Sequence, residues 1–215
     1  MRILFFDTET NGLPVRRHAA PDDLANWPRV VQIAWQLVEV PDGDTEPVLL
    51  SKQSFLVQPD PGVIWNEGSA AFHKISKATA LSSGTPGRVV FEAFLKDAKE
   101  ASLLVAHNLA FDTPVVVCEL IHHGLSVRSL PEQRYCTMEG TKAVCKLPSQ
   151  YGRPSDPYKY PKLAELYTCL FGTADTPDFH AADVDVQCLV RCFLELVRRN
   201  AITLPALPAL PALPA

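Results

Sequence analysis

The chain has 215 residues, 47% of them hydrophobic and 20% charged, and a formal net charge of -4. That length supports one domain with a sizeable core, and the composition excludes general disorder. The charge balance excludes a simple basic nucleic-acid binder but not an enzyme acting on nucleic acid, because divalent ions cancel an acidic cluster in place.

In chain order, RILFFDTET reads as a buried strand, with Ile3 and Phe5 preceding Asp7 on one face and Leu4 and Phe6 on the other. NGLP at 11–14 is a turn, followed by a polar loop to Pro28. RVVQIAWQLVEV and VLLSKQSFLVQP are strands joined to the first as an antiparallel meander. A short helix is expected around Ser69 to His73 within an otherwise mixed stretch at 59–87. Helical spacing of Val90, Phe94, Leu95 and Ala98 then predicts a helix from Arg88 to Glu100. SLLVAHN is a strand, FDTPVVVCELIHHG a helix stopped by Gly124, and QRYCTM a fifth strand. The strand, helix, strand order favours parallel pairing. EGTKAVCKL reads as a short helix, PSQYGRPSDP as a loop, and YPKLAELYTCLFG as a helix entered through Pro161 and stopped at Gly172. The last helix spans about 181–199. LPALPALPALPA, from Leu204 to Ala215, repeats every three residues and reads as an extended, dispensable appendage.

The six cysteines form no C-x-x-C pair and read as reduced, mostly buried thiols, with Cys188 and Cys192 in core packing. No apolar run reaches the roughly 18 residues of a membrane span, and the start of the chain is no signal peptide. A cytoplasmic protein without membrane contact is expected.

Two carboxylates end the first strand. Asp7 and Glu9 share one face, about 7 Å apart along an extended chain, and a central strand has no use for two like charges there. Asp112 early in the second long helix and Asp185 early in the last place four acids at element ends that one sheet edge can gather. Oxygen donors without neighbouring thiols suit Mg²⁺ or Mn²⁺. Two such ions can hold both oxygens of an in-line phosphoryl displacement. His180, five residues before Asp185, is a candidate base near neutral pH. Asp183 projects from a different helix face and reads as solvent-facing.

Three ordered motifs carry a family resemblance. D-x-E at Asp7 and Glu9, H-N-x-x-F-D from His107 to Asp112, and H-x-A-x-x-D from His180 to Asp185 resemble the DnaQ-like 3′-to-5′ exonuclease superfamily in its DEDDh branch, of the type of the DNA polymerase III epsilon proofreading subunit. NGLP, FHKIS at 72–76 and YPKLAELYTCLFG extend the likeness over nearly the whole domain. The tyrosine branch places its base at the position of Ala181, so the histidine branch fits better.

The resemblance implies an α/β ribonuclease H-like fold: a central mixed five-stranded sheet, the first three strands antiparallel and the rest parallel, with helices on both faces. Residues 1–202 would form the exonuclease domain and 203–215 a Pro-rich tail. Asp7, Glu9, Asp112 and Asp185 would hold two Mg²⁺ or Mn²⁺ ions, with His180 as general base. Thr8, Thr10, Leu13, His73 and Phe111 would border the 3′-terminal nucleotide. Hydrolysis at nucleic-acid 3′ ends would release nucleoside 5′-monophosphates, DNA being favoured over RNA, in proofreading or repair alongside a DNA polymerase or a replication or repair complex. An exoribonuclease, an endonuclease of similar architecture and a non-catalytic binding module are the alternatives. Arg153, Lys159 and Lys162 are a candidate phosphate-steering cluster, with solvated loop charge as the default.

Overall fold

Strand β1, Arg2–Thr10, divides the core in two because its side chains alternate between faces. Leu4 and Phe6 enter one hydrophobic cluster and Ile3 and Phe5 another, all four fully buried. Burying each contributes about 1.5–3 kcal/mol. A strand covered on both sides reads as an unbroken apolar run until its charged end. The computed structural model describes residues 1–41, 46–173, 177, 179 and 181–202.

The other strands are β2 (Val30–Glu39), β3 (Val48–Gln58), β4 (Thr85–Pro86), β5 (Leu103–Ala106), β6 (Gln133–Cys136), β7 (Pro148–Arg153) and β8 (Asp156–Tyr158). The main sheet runs β4-β3-β2-β1-β5-β6. As expected, β1, β2 and β3 pair antiparallel, while β5 and β6 join parallel to β1. The two-residue β4 adds an edge pairing to β3 that residue periodicity is too short to announce.

Helices α1 (Glu67–His73), α2 (Lys77–Ser83), α3 (Gly87–Ala98), α4 (Leu109–His122), α5 (Thr137–Gly140), α6 (Lys142–Cys145), α7 (Leu163–Phe171) and α8 (Ala182–Arg198) complete the chain. On one face of the sheet α3 and α4 pack Phe94, Val116 and Leu120 against Leu4, Phe6 and Trp35. Trp35 stacks on Phe55, meets Phe94 edge-on, and donates its Nε1–H to Asp97 at 2.7 Å. On the other face α8 sets Val186, Leu189 and Phe193 against Ile3, Phe5 and Val105. Leu166, Tyr167 and Leu170 of α7 back α8 through Cys188, Cys192 and Leu196, so these two cysteines serve packing as expected.

Several expectations need correction. Residues 148–158 form the β7–β8 hairpin instead of a loop; a Cβ at Gly152 would stand 2.7 Å from the Pro157 carbonyl, and only glycine lets the two backbones approach so closely. The unforeseen α2 is capped by Ser76, whose Oγ accepts from the Thr79 N–H at 3.0 Å. EGTKAVCKL makes two single turns, α5 and α6. Pro161 precedes the cap residue Lys162 and so does not open α7. The expected tail at 203–215 lies outside the described residues.

Candidate active site

The site arises where β1 outruns its parallel neighbour. The β1–β5 ladder ends at the Phe5–Val105 pair, yet β1 continues to Thr10. Beyond that point the Thr8 N–H has no strand to donate to, and Asp112 takes it: Oδ1 accepts from Thr8 N at 3.2 Å and from Thr8 Oγ1 at 2.7 Å. Asn108, left-handed at φ 77°, turns the chain sharply from β5 into α4. That turn places Asp112 in the first turn of α4, where the helix dipole favours a carboxylate.

The remaining acids come from the opposite face. Asp7 and Glu9 project toward α8, and carboxylate oxygens of Asp7, Glu9 and Asp185 lie within 4.8 Å of one another. The α8 entry is steered by β2, with the Ala182 N–H donating to Gln32 Oε1 at 3.4 Å. Acids from both sides of the sheet thus meet at the carboxyl end of β1, the kind of edge where open α/β sheets form their ligand crevices. Asp183 is half-buried in the same first turn and stays outside this group.

His107 has a structural tie. Its ring joins Thr137 Oγ1 at 2.9 Å through Nδ1 and the Pro161 carbonyl at 3.0 Å through Nε2. Because a carbonyl can only accept, Nε2 carries the proton and the Thr137 hydroxyl donates to Nδ1. Burial pushes the His107 pKa down to about 4, in keeping with a neutral ring that pins α5 and the approach to α7 beside the site.

Electrostatics tests whether a cation fits. Burial, then the charges of Asp112, Asp185 and Glu9, hold Asp7 well above the ordinary carboxylate range. Burial, then Asp185 and Asp112, raises Glu9 to about 8. Burial raises Asp112 to about 7 against the opposing pull of its two Thr8 hydrogen bonds. Four acids that repel one another and offer only oxygen suit a hard divalent cation, and thiol ligands are absent from the cluster among the described residues.

A pH signature follows. The folded chain retains protons on Glu9 and Asp112 that the unfolded chain has already released, so metal-free stability falls as pH rises from the ordinary carboxylate range to about 8. In chelator the melting temperature should therefore drop from pH 5 to pH 8. Added Mg²⁺ or Mn²⁺ should restore it, with a larger increment at pH 8 than at pH 6. A flat chelator profile would refute the crowding of charge.

The residues expected to border substrate divide. Thr8 spends both its N–H and its hydroxyl on Asp112, which makes it a positioning residue. The Thr10 Oγ1 donates to the Gly12 carbonyl at 2.8 Å and shapes the turn after β1. Leu13, on that turn, is 82% exposed. Nearby, Asn11 donates its Nδ2–H to the Ile64 carbonyl at 2.7 Å, binding this turn to the segment before α1. His73 is buried; its Nδ1 accepts from the Ile75 N–H at 3.1 Å and its ring meets Trp65 edge-on. Phe111 is half-buried against Trp27 at 6.4 Å. His180 lies outside the described residues. Lys159 of the basic cluster is paired with Glu165, whose Oε2 also accepts from the Lys162 N–H at 2.8 Å, while Arg153 is exposed at the end of β7.

Sequence reasoning missed the grip of Thr8 on Asp112 and the contact of Gln32 with α8. The only written signal for the first is the hydroxyl between two acids in DTET. Thr8→Val retains the branched shape and the backbone bond but deletes the hydroxyl. If the acids hold metal, this change should cost about 10- to 100-fold in metal affinity or activity, with Thr8→Ser restoring most of it. Metal titration of the three proteins checks this, and a Val variant equal to wild type would reduce Thr8 to simple core packing.

Comparison with known proteins defines the class of fold. No family model matches the chain, and no curated protein matches it. Among solved structures the mixed sheet with flanking helices is that of a ribonuclease H-like fold, and the similar structures include those of exonuclease I. Escherichia coli exonuclease I in complex with a dA16 oligonucleotide has a TM-score of 0.65 and 15% identity, covering 92% of this chain and 41% of that one. The zinc ion bound form of the E. coli exonuclease I–ssDNA complex has a TM-score of 0.66 and 16% identity, covering 92% of this chain and 40% of that one. A moderately thermophilic exonuclease I from Methylocaldum szegediense has a TM-score of 0.66 and 16% identity, covering 95% of this chain and 41% of that one. The chain thus spans less than half of each of those proteins. None of the described helices is long and apolar enough to cross a membrane.

Proposed function

We propose that the protein is a divalent-metal-dependent 3′-to-5′ exonuclease that releases nucleoside 5′-monophosphates from nucleic-acid 3′ ends. The observation that carries this reading is the convergence of Asp7, Glu9 and Asp185 within 4.8 Å, with Asp112 pinned alongside by Thr8. Two divalent ions, Mg²⁺ or Mn²⁺, when bound, would supply Lewis-acid stabilisation of the charge that develops on the phosphodiester. Asp7, Glu9, Asp112 and Asp185 would hold them. His180 would accept the proton of the attacking water. DNA is favoured as substrate because the similar exonuclease I structures include complexes with a DNA oligonucleotide. The DEDDh assignment, a proofreading or repair role and a polymerase partner rest on the motif resemblance alone.

The test uses 3′-labelled and 5′-labelled DNA and RNA oligomers with Mg²⁺, Mn²⁺ or chelator, beside a circular single strand. Metal-dependent shortening from the 3′ end, with the circle intact, is the expected result. Cleavage of the circle would make the protein an endonuclease, and chelator-insensitive binding without hydrolysis would make it a binding module.

A further inference from the structure

Six cysteines are free, and only two of them, Cys145 and Cys169, are not buried. These two are neighbours. The Cys169 and Thr141 side chains stand close enough to the Cys145 thiol to influence its ionisation. Both line an open groove of about 430 Å³ between α6 and α7, with Leu147, Ala164, Glu165 and Thr168. Cys169 is exposed while Cys145 is half-buried against the α7–α8 core. Nothing in the metal site uses either thiol.

We infer that Cys145 and Cys169 form a thiol–disulfide exchange site for low-molecular-weight disulfides, with Cys169 as the entry thiol and Cys145 as the resolving one. The Cys169 thiolate attacks a small disulfide such as oxidised glutathione, forming a mixed disulfide and releasing one glutathione thiolate. Cys145 then gives its proton to water and attacks the Cys169 sulfur, forming the Cys145–Cys169 bond and releasing the second glutathione. One small disulfide is reduced to two thiols as the protein dithiol is oxidised. The order follows from access and acidity, since burial, and next the nearby Cys169, pushes the Cys145 thiol up to about 12. The open groove gives the small disulfide room beside Cys169. Closure would tie α6 to α7, the helix that backs α8 and its Asp185.

The test treats the reduced, full chain with excess oxidised glutathione under native conditions and reads intact mass and peptide maps without reductant. Wild type should lose two hydrogen atoms through a Cys145–Cys169 link, with no lasting adduct, and recover its mass in dithiothreitol. Cys145→Ser should retain one glutathione on Cys169, and Cys169→Ser should remain unmodified at Cys145. Both changes lie at the surface of the groove, and circular dichroism establishes that each variant is folded. A stable adduct on wild-type Cys169 with Cys145 still alkylated by maleimide would overturn the inference. So would a link between two chains, or no reaction at all. None of these outcomes depends on the nuclease reading.

Discussion

Asp7→Ala is expected to remove 3′-end hydrolysis while making the metal-free protein more stable. If the acids hold metal as proposed, loss of one ligand withdraws several kcal/mol of transition-state stabilisation, on the order of 10³-fold in rate or more. The same carboxyl is held well above its ordinary pKa by burial and by Asp112, Asp185 and Glu9, so deleting it relieves a burial cost and a repulsion that a retained proton or a bound cation otherwise offsets. Activity and chelator-state stability should therefore move in opposite directions, as at a site where function is retained at a cost in stability. Turnover of a labelled strand and melting in chelator decide the matter. A variant cutting at the wild-type rate would remove Asp7 from the chemistry; one that melts earlier in chelator would show that packing, not charge, dominates there.

The largest effect on stability is expected at Glu119. This α4 carboxylate is 1% exposed, and its oxygens accept from Arg29 Nε at 2.8 Å, Arg29 Nη2 at 2.9 Å and the Val30 N–H at 2.8 Å. Burial alone would raise its pKa, but the close approach of His123 and the bonds from Arg29 and Val30 prevail and hold it below the ordinary range. Arg29 also reaches Asp60 at 2.7 Å, so the network fastens the start of β2 and the segment after β3 to α4. Breaking a buried pair by removing one partner typically costs about 3–5 kcal/mol. Glu119→Ala should lower the melting temperature by on the order of 10 °C in a chain of this size. Glu119→Gln, which can still accept from Val30, should lose less. Urea unfolding that places the Ala variant within about 0.5 kcal/mol of wild type would show the network to be no stronger than a surface pair.

These effects differ in how far residue order foretells them. FFDTET exposes its oddity directly, because two acids on one face of a buried strand break the alternation that packing alone would produce. Strands β1, β2, β3, β5 and β6 and the amphipathic α3 were readable because each has buried apolar side chains in a regular pattern. The β7–β8 hairpin was not, since nearly all its residues face solvent and leave no alternation to read. Thr8 was read as bordering substrate, but its hold on Asp112 escaped notice because that donor role depends on where β5 stops, a fact of strand length in a different part of the chain. Glu119 looked like any helix-surface acid near two histidines; its partner lies 90 residues earlier, and only the folded arrangement buries it. Side chains that complete another element's unsatisfied groups are the part that local pattern cannot disclose.

The acid group draws Asp7 and Glu9 from the first strand and Asp185 from the last helix. During vectorial synthesis, the early carboxylates must wait for the segment carrying Asp185 to leave the ribosome before their companion arrives. In the proposed reading a nascent chain that has not yet reached Asp185 therefore lacks part of its metal site, and catalytic competence waits on that helix.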